Sequence, residues 1–202
     1  MRKNIIGPGI VVYKNIFPRS MNLVERYEKN IGDSWSEAKT HENNIYAGNG
    51  RYCQDFVYSD TSLDENNKNS KELIELYNEV MIKIKECIID YEKDYPVKID
   101  FFEALNVIKY SVNDFFNYHT DDGPDVRYTV SCVAYLNDEY VGGNLHFKFF
   151  DINYKPEIGD LAIFPSAYTY AHAAYPIISG TKYILALMTD RTAKGHRRDQ
   201  YK

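Results

Sequence analysis

Beyond Pro96 the sequence is cut into short runs rich in β-branched and aromatic residues, and this punctuation limits the fold more than any other feature. The runs are 101–110, 128–136, 145–149, 161–164 and 183–188. Between them stand Asp122-Gly123-Pro124, Asn137-Asp138, Gly142-Gly143, Pro156, Gly159-Asp160 and Gly180. Residues of these types supply the fixed or positive φ values that tight turns need. Many short strands joined by such turns favour a sandwich or barrel over a parallel sheet with helical crossovers.

The first half is different in kind. Ile10-Val11-Val12-Tyr13 is β-rich, and residues 18–30 carry Met21, Val24 and Tyr27 at helical spacing. Asn69 with Glu72 forms a capping pair for a second helix. That helix lines up Leu73, Tyr77, Val80, Ile84 and Ile88 on one stripe, and Pro96 closes it. The stretch 59–69, rich in Asp, Asn and Ser, is expected to be a surface loop. The expected architecture is therefore mostly β with supporting helices. A chain of 202 residues suits one domain. Its supporting strand and helices would occupy about 1–98, and its β core about 99–190.

Bulk properties narrow the partners. With 44% hydrophobic and 26% charged residues the composition is that of a globular protein. A net charge of −5 gives no reason to expect nucleic acid or an anionic membrane as partner. The basic residues Lys194, Arg197, Arg198 and Lys202 are expected to be a solvated end. Cys53, Cys87 and Cys132 are odd in number and widely spaced, so a reducing, cytoplasmic setting is expected. Cys87 and Cys132 are expected as small buried residues. No apolar run is long enough for a signal peptide or a membrane span.

The chemistry concentrates near Tyr118-His119-Thr120-Asp121. On a strand, residues i and i+2 share a face, so His119 and Asp121 can converge on one metal ion. Two histidines and a carboxylate with open positions suit non-haem Fe(II). His-x-Asp alone is a weak signal, and the third ligand has four candidates. His41 and His196 lie in polar, loop-like sequence. His146 alternates with Leu145 and Phe147, so it faces solvent or lines a cleft. His172 follows a β-rich run and a tyrosine-rich turn.

The order His119-x-Asp121, His172, Lys182 resembles the prolyl 4-hydroxylase branch of the 2-oxoglutarate oxygenases. Tyr110 stands nine residues before His119, where that branch has a tyrosine near the cosubstrate. The run 128–137 ends in Tyr135-Leu136-Asn137, and Gly142-Gly143-Asn144-Leu145-His146-Phe147 is similar to a Gly-Gly-x-x-x-Phe strand. Pro156 to Phe164 resembles a Pro-x-x-Gly turn and strand. His172 to Lys182 resembles the distal-histidine segment, with its basic residue ten positions on. The resemblance spans residues 105–189.

It implies a double-stranded β-helix, or jelly roll. It also implies His119, Asp121 and His172 as Fe(II) ligands and catalytic centre. Lys182 would pair with the distal carboxylate of 2-oxoglutarate, and Tyr110 and Tyr135 would bond the cosubstrate. O2 would be consumed and succinate and CO2 formed, with stimulation by ascorbate left open. A carboxylate at 121 favours hydroxylation over halogenation. The expected substrate is a prolyl residue in a protein or peptide, with Tyr118, Tyr140, Tyr168 and Tyr170 as candidate walls. The alternatives are a hydroxylase of a free amino acid or other small molecule, or a non-catalytic metal-binding module. Arg127 lies one position out of the register of a polar residue in that branch, and no role is assigned to it.

Overall fold

The computed structural model describes residues 1–38, 50–58, 70–123 and 127–194. The first half holds β1 (Lys3–Gly7), β2 (Ile10–Tyr13), α1 (Leu23–Ile31), β3 (Ser36–Glu37), β4 (Arg51–Tyr52), β5 (Gln54–Val57) and α2 (Ser70–Asp94). Then come β6 (Phe101–Phe102), β7 (Asn106–Tyr110), β8 (Phe115–His119), β9 (Val130–Tyr135), β10 (Tyr140–Gly142) and β11 (Leu145–Phe147). The last strands are β12 (Ile152–Tyr154), β13 (Leu161–Pro165), β14 (His172–Ala174), β15 (Ile177–Gly180) and β16 (Lys182–Asp190).

A nine-stranded sheet runs β1-β2-β13-β9-β16-β7-β5-β3, with β6 also on β16. A five-stranded sheet runs β12-β11-β14-β8-β4, and β10 pairs with β15. Every pairing is antiparallel. From β7 onward the chain passes back and forth: β7, β9, β13 and β16 lie in the large sheet, and β8, β11, β12 and β14 in the small one. This is the jelly roll expected for the β half. The expected runs are also trimmed: 101–110 splits into β6 and β7, and β11 stops at Phe147.

The large sheet separates two cores, and strand alternation divides its side chains between them. Val11, Tyr13, Cys132, Ala134, Leu161, Ile163, Leu185 and Leu187 face the helices. The α2 stripe meets them there, with Leu73, Val80, Ile84 and Ile88 buried and Tyr77 packed alongside. Leu23, Tyr27 and Ile31 of α1 complete that layer. The opposite positions, Ile10, Val12, Ile108, Ala162, Phe164 and Ile184, face the small sheet, which contributes Leu145 and Phe147. Cys53, Cys87 and Cys132 are all buried free thiols. The helix expected over 18–30 begins as a short 3₁₀ turn at Arg19–Met21 and becomes α-helical at Leu23. The helix cap expected at Asn69 and the loop at 59–69 lie outside the described residues. No helix among the described residues is long and apolar enough to cross a membrane.

Phe164 is fully buried between the sheets, with its ring centroid 4.9 Å from that of Phe147 and 4.8 Å from that of His172. Phe164→Ala is expected to lower unfolding free energy by about 3–5 kcal/mol, read from urea denaturation.

Candidate active site

His119 closes β8 and His172 opens β14, and the two are direct partners across the ladder. Opposed residues on neighbouring strands bring their side chains close together, and the two imidazole centroids lie 4.3 Å apart. Asp121 is not on a strand, as the i, i+2 expectation required. β8 ends at His119, and Asp121 sits in the bend beyond it. The carboxylate nevertheless returns to the histidines. Its Oδ1 is 3.6 Å from His119 Nε2, and its Oδ2 is 3.9 Å from His172 Nε2. One ligand atom from each residue lies within 4.8 Å of the others.

Main-chain carbonyls orient both imidazoles. Asn117 O lies 2.8 Å from His119 Nδ1, and Tyr170 O lies 3.1 Å from His172 Nδ1. A carbonyl only accepts, so each Nδ1 carries the proton and each Nε2 offers its lone pair inward. A β-bulge in β8 sets two of its residues, Asn117 and Tyr118, against the single Ala173 of β14. Phe116 and His119 therefore share a face, and their rings stack at 3.5 Å. Burial, followed by repulsion from His119, pulls the His172 pKa down to about 4, so it is neutral at physiological pH. Burial pushes the Asp121 carboxyl up. Attraction to His172, which is protonated only at acid pH, the contact with His119 and a bond from Ser131 outweigh that and hold it below the usual carboxylate range.

Lys182 opens β16 directly opposite Tyr110 of β7. It is 2% exposed. Its Nζ sits 5.4 Å from the ring centroid of Tyr110, 5.2 Å from that of Tyr135 and 5.9 Å from that of Tyr140. Its one hydrogen bond among the described residues goes to Gly143 O, at 2.6 Å. Gly143 has φ +65°, and a Cβ there would lie 3.1 Å from Lys182 Cδ and 2.5 Å from Ile177 Cδ1, so glycine is what lets the two chains meet. No acidic side chain among the described residues forms an ion pair with Lys182. Burial alone lowers its pKa to about 7. Burial also pushes the Tyr110 and Tyr135 phenols far up, so both remain proton donors.

Residues 105–189 match the sequence model of the 2OG-Fe(II) oxygenase superfamily. Over that span the chain is similar to that superfamily. The matched span runs through every residue described above, from Tyr110 to Lys182. A protein of Acanthamoeba polyphaga mimivirus named "Putative prolyl 4-hydroxylase" is 30% identical over 160 residues, which cover 69% of this chain and 64% of that relative's length. Among solved structures, a viral collagen prolyl hydroxylase from Paramecium Bursaria Chlorella virus-1, in its 2OG complex, superposes with TM-score 0.65 at 16% identity. It covers 91% of this chain and 96% of its own. A prolyl hydroxylase from Trichoplax adhaerens, bound to a hypoxia inducible factor oxygen degradation domain peptide fragment, gives TM-score 0.67 at 16% identity. It covers 91% and 84%. At these identities the structures show a shared fold.

Several other sequence candidates lie away from the histidines. His146 turns outward on β11, where Tyr118 OH lies 2.8 Å from its Nδ1 and the Tyr175 ring stacks on it at 5.1 Å. Tyr118 is therefore committed to the outer face and not to a wall at the metal. Tyr170 donates to Pro8 O at 3.0 Å, Tyr140 lies beside Lys182, and Tyr168 is largely exposed. Arg127 bonds Asp190 and the carbonyl of Lys194. His41, His196 and the basic residues 197, 198 and 202 lie outside the described residues. Sequence reasoning missed Arg51, which stacks over Phe116 at 5.2 Å, and the hydroxyl pair Ser131 and Ser166. Ser131 stands four residues before Tyr135 on β9, on the same face, and that spacing was the available signal.

The Lys182 environment fixes a pH dependence. Below about pH 7 the amine is already protonated, and an anion binds without proton exchange. Above it the amine is neutral, so binding a dicarboxylate draws in one proton, and affinity falls by up to about tenfold per pH unit. Calorimetric 2-oxoglutarate titrations at pH 8 in buffers of different ionisation enthalpy should report that proton uptake.

Proposed function

We propose that this chain is an Fe(II)- and 2-oxoglutarate-dependent oxygenase that hydroxylates a prolyl residue in a protein or peptide. The observation that carries the reading is the presence of two incomplete polar sets against the core between the two sheets. Two imidazoles and a carboxylate form one set, and a buried lysine amine that makes no ion pair among the described residues forms the other. A buried charge without a partner is costly, so a pocket of this kind is completed by an anionic ligand. His119, Asp121 and His172 are the residues that would hold iron, and their donor set fits non-haem Fe(II). Bound together, iron and 2-oxoglutarate would supply the oxidising power to place one atom of O2 on the substrate, with succinate and CO2 as co-products.

The protein's own part is placement. Lys182 spends one N–H on Gly143 O and keeps donors for a distal carboxylate, and the Tyr110 and Tyr135 phenols can donate alongside it. Phe116, Phe147 and Phe164 surround the two histidines with rings and keep bulk water from them. The prolyl assignment is supported by the relatives, one of them solved with a peptide. Proline fixes φ near about −65° and lacks an N–H, which favours an extended peptide that can lie across a cleft.

Two outcomes check the proposal. With Fe(II), 2-oxoglutarate and proline-containing peptides, mass spectrometry should find one oxygen added to proline in step with succinate, and His119→Ala should abolish both. Turnover of free amino acids with none of peptides would remove the peptide reading and leave the oxygenase. Absence of succinate under every condition would remove both. Separately, Lys182→Met should weaken 2-oxoglutarate binding by roughly tenfold or more, since each charge-assisted bond contributes about 1.5–3 kcal/mol, while Co(II) affinity stays near wild type.

A further inference from the structure

Behind the Asp121 carboxylate lies a short chain of hydroxyls that the reading above leaves without a task. Ser131 Oγ is 2.5 Å from Asp121 Oδ2, and Ser166 Oγ is 2.7 Å from Ser131 Oγ. Both serines are buried, at 1% and 2% exposure. Ser131 is on β9, and Ser166 follows β13 directly. Main-chain bonds hold Ser166 in place: its N–H donates to Thr129 O at 3.1 Å, and its carbonyl accepts from Asp122 N–H at 3.2 Å.

Counting protons fixes the direction of the chain. An ionised carboxylate only accepts, and a hydroxyl has one proton to give. Ser131 donates to Asp121 Oδ2, and with its one proton spent there it accepts from Ser166. Oδ2 is engaged from behind, while Oδ1 stands 3.6 Å from His119 Nε2. Asp121 has no strand to hold it, since β8 ends at His119. Ser131 is the side chain that aims it.

We propose that Ser131, backed by Ser166, is a positioning residue that fixes the Asp121 carboxylate for ligation through Oδ1 alone. Holding Oδ2 off the ion keeps coordination positions open for cosubstrate and O2. The inference rests on the metal-site reading above.

The test is Co(II) titration of the metal-free protein followed by visible absorption, with thermal melting of each apo variant as a fold check. Wild type should bind one Co(II); failure to do so would sink the metal-site reading itself. Ser131→Ala should lose about 10- to 100-fold in Co(II) affinity and show an altered band shape, at an apo melting temperature near wild type. Ser166→Ala should lose less, because Ser131 keeps its donor. The double variant should be no worse than Ser131→Ala, since Ser166 acts through Ser131. Wild-type affinity and spectrum in Ser131→Ala would overturn the inference, as would strictly additive losses in the double variant. Should Ser131→Ala fail to fold, Ser166→Ala alone decides: weaker Co(II) binding supports the relay, and unchanged binding ends it.

Discussion

The large sheet works under one constraint: each strand serves two cores at once, and residue parity decides which. On β9, Cys132 and Ala134 go to the helices, while Ser131 and Tyr135 go inward. On β16, Tyr183, Leu185 and Leu187 face the helices, while Lys182 and Ile184 face the small sheet. A one-residue slip would exchange these sets entirely. It would bury Ser131 and Lys182 under α2 and carry leucines into the pocket. The apolar helix-side residues thus specify the position of the polar pocket residues, although the two groups never touch.

Much of this was legible in the sequence because it is local. The turn punctuation after Pro96 marked the β half, and the 3.6-residue stripe marked α2. Lys182 is assigned through the resemblance, by its position ten residues after His172, because alternation alone leaves a lysine in such a strand exposed. The unseen parts depend on distant pairing. β3, β4 and β5 are two to four residues long, contain Ser, Glu, Arg, Gln and Asp, and exist because β5, β8 and β7 respectively offer them ladder partners. β1 is an edge strand with a similarly polar start. Tyr118 could not be sided from alternation, because the bulge in β8 shifts the count between Phe116 and His119. Asp121 reaches the histidines from a bend, through a bond to a strand ten residues on.

The buried polar groups divide into complete and incomplete sets, and the division separates architecture from chemistry. Asp160 is fully buried, yet it is closed by Lys14 at 2.7 Å, the Tyr154 hydroxyl at 2.5 Å and the Glu157 amide at 2.9 Å. The charge of Asp160 is thus paired within the protein. Lys182 is buried to a similar degree among three phenols, with one carbonyl as its bond. Similar burial with such different pairing is the observation behind the proposed cosubstrate role of Lys182.

The two imidazoles share a detail with an evolutionary side. Each Nδ1 is held by a carbonyl two residues earlier in its own chain segment, Asn117 for His119 and Tyr170 for His172. The acceptor belongs to the main chain, which every amino acid possesses. Drift at 117 or 170 can change the side chain and still leave the tautomer of its histidine unaltered. Ser131 has no such insurance, because its hydroxyl is lost with a single substitution. Mutational tolerance around this pocket is therefore uneven, broad behind the histidines and narrow behind the carboxylate.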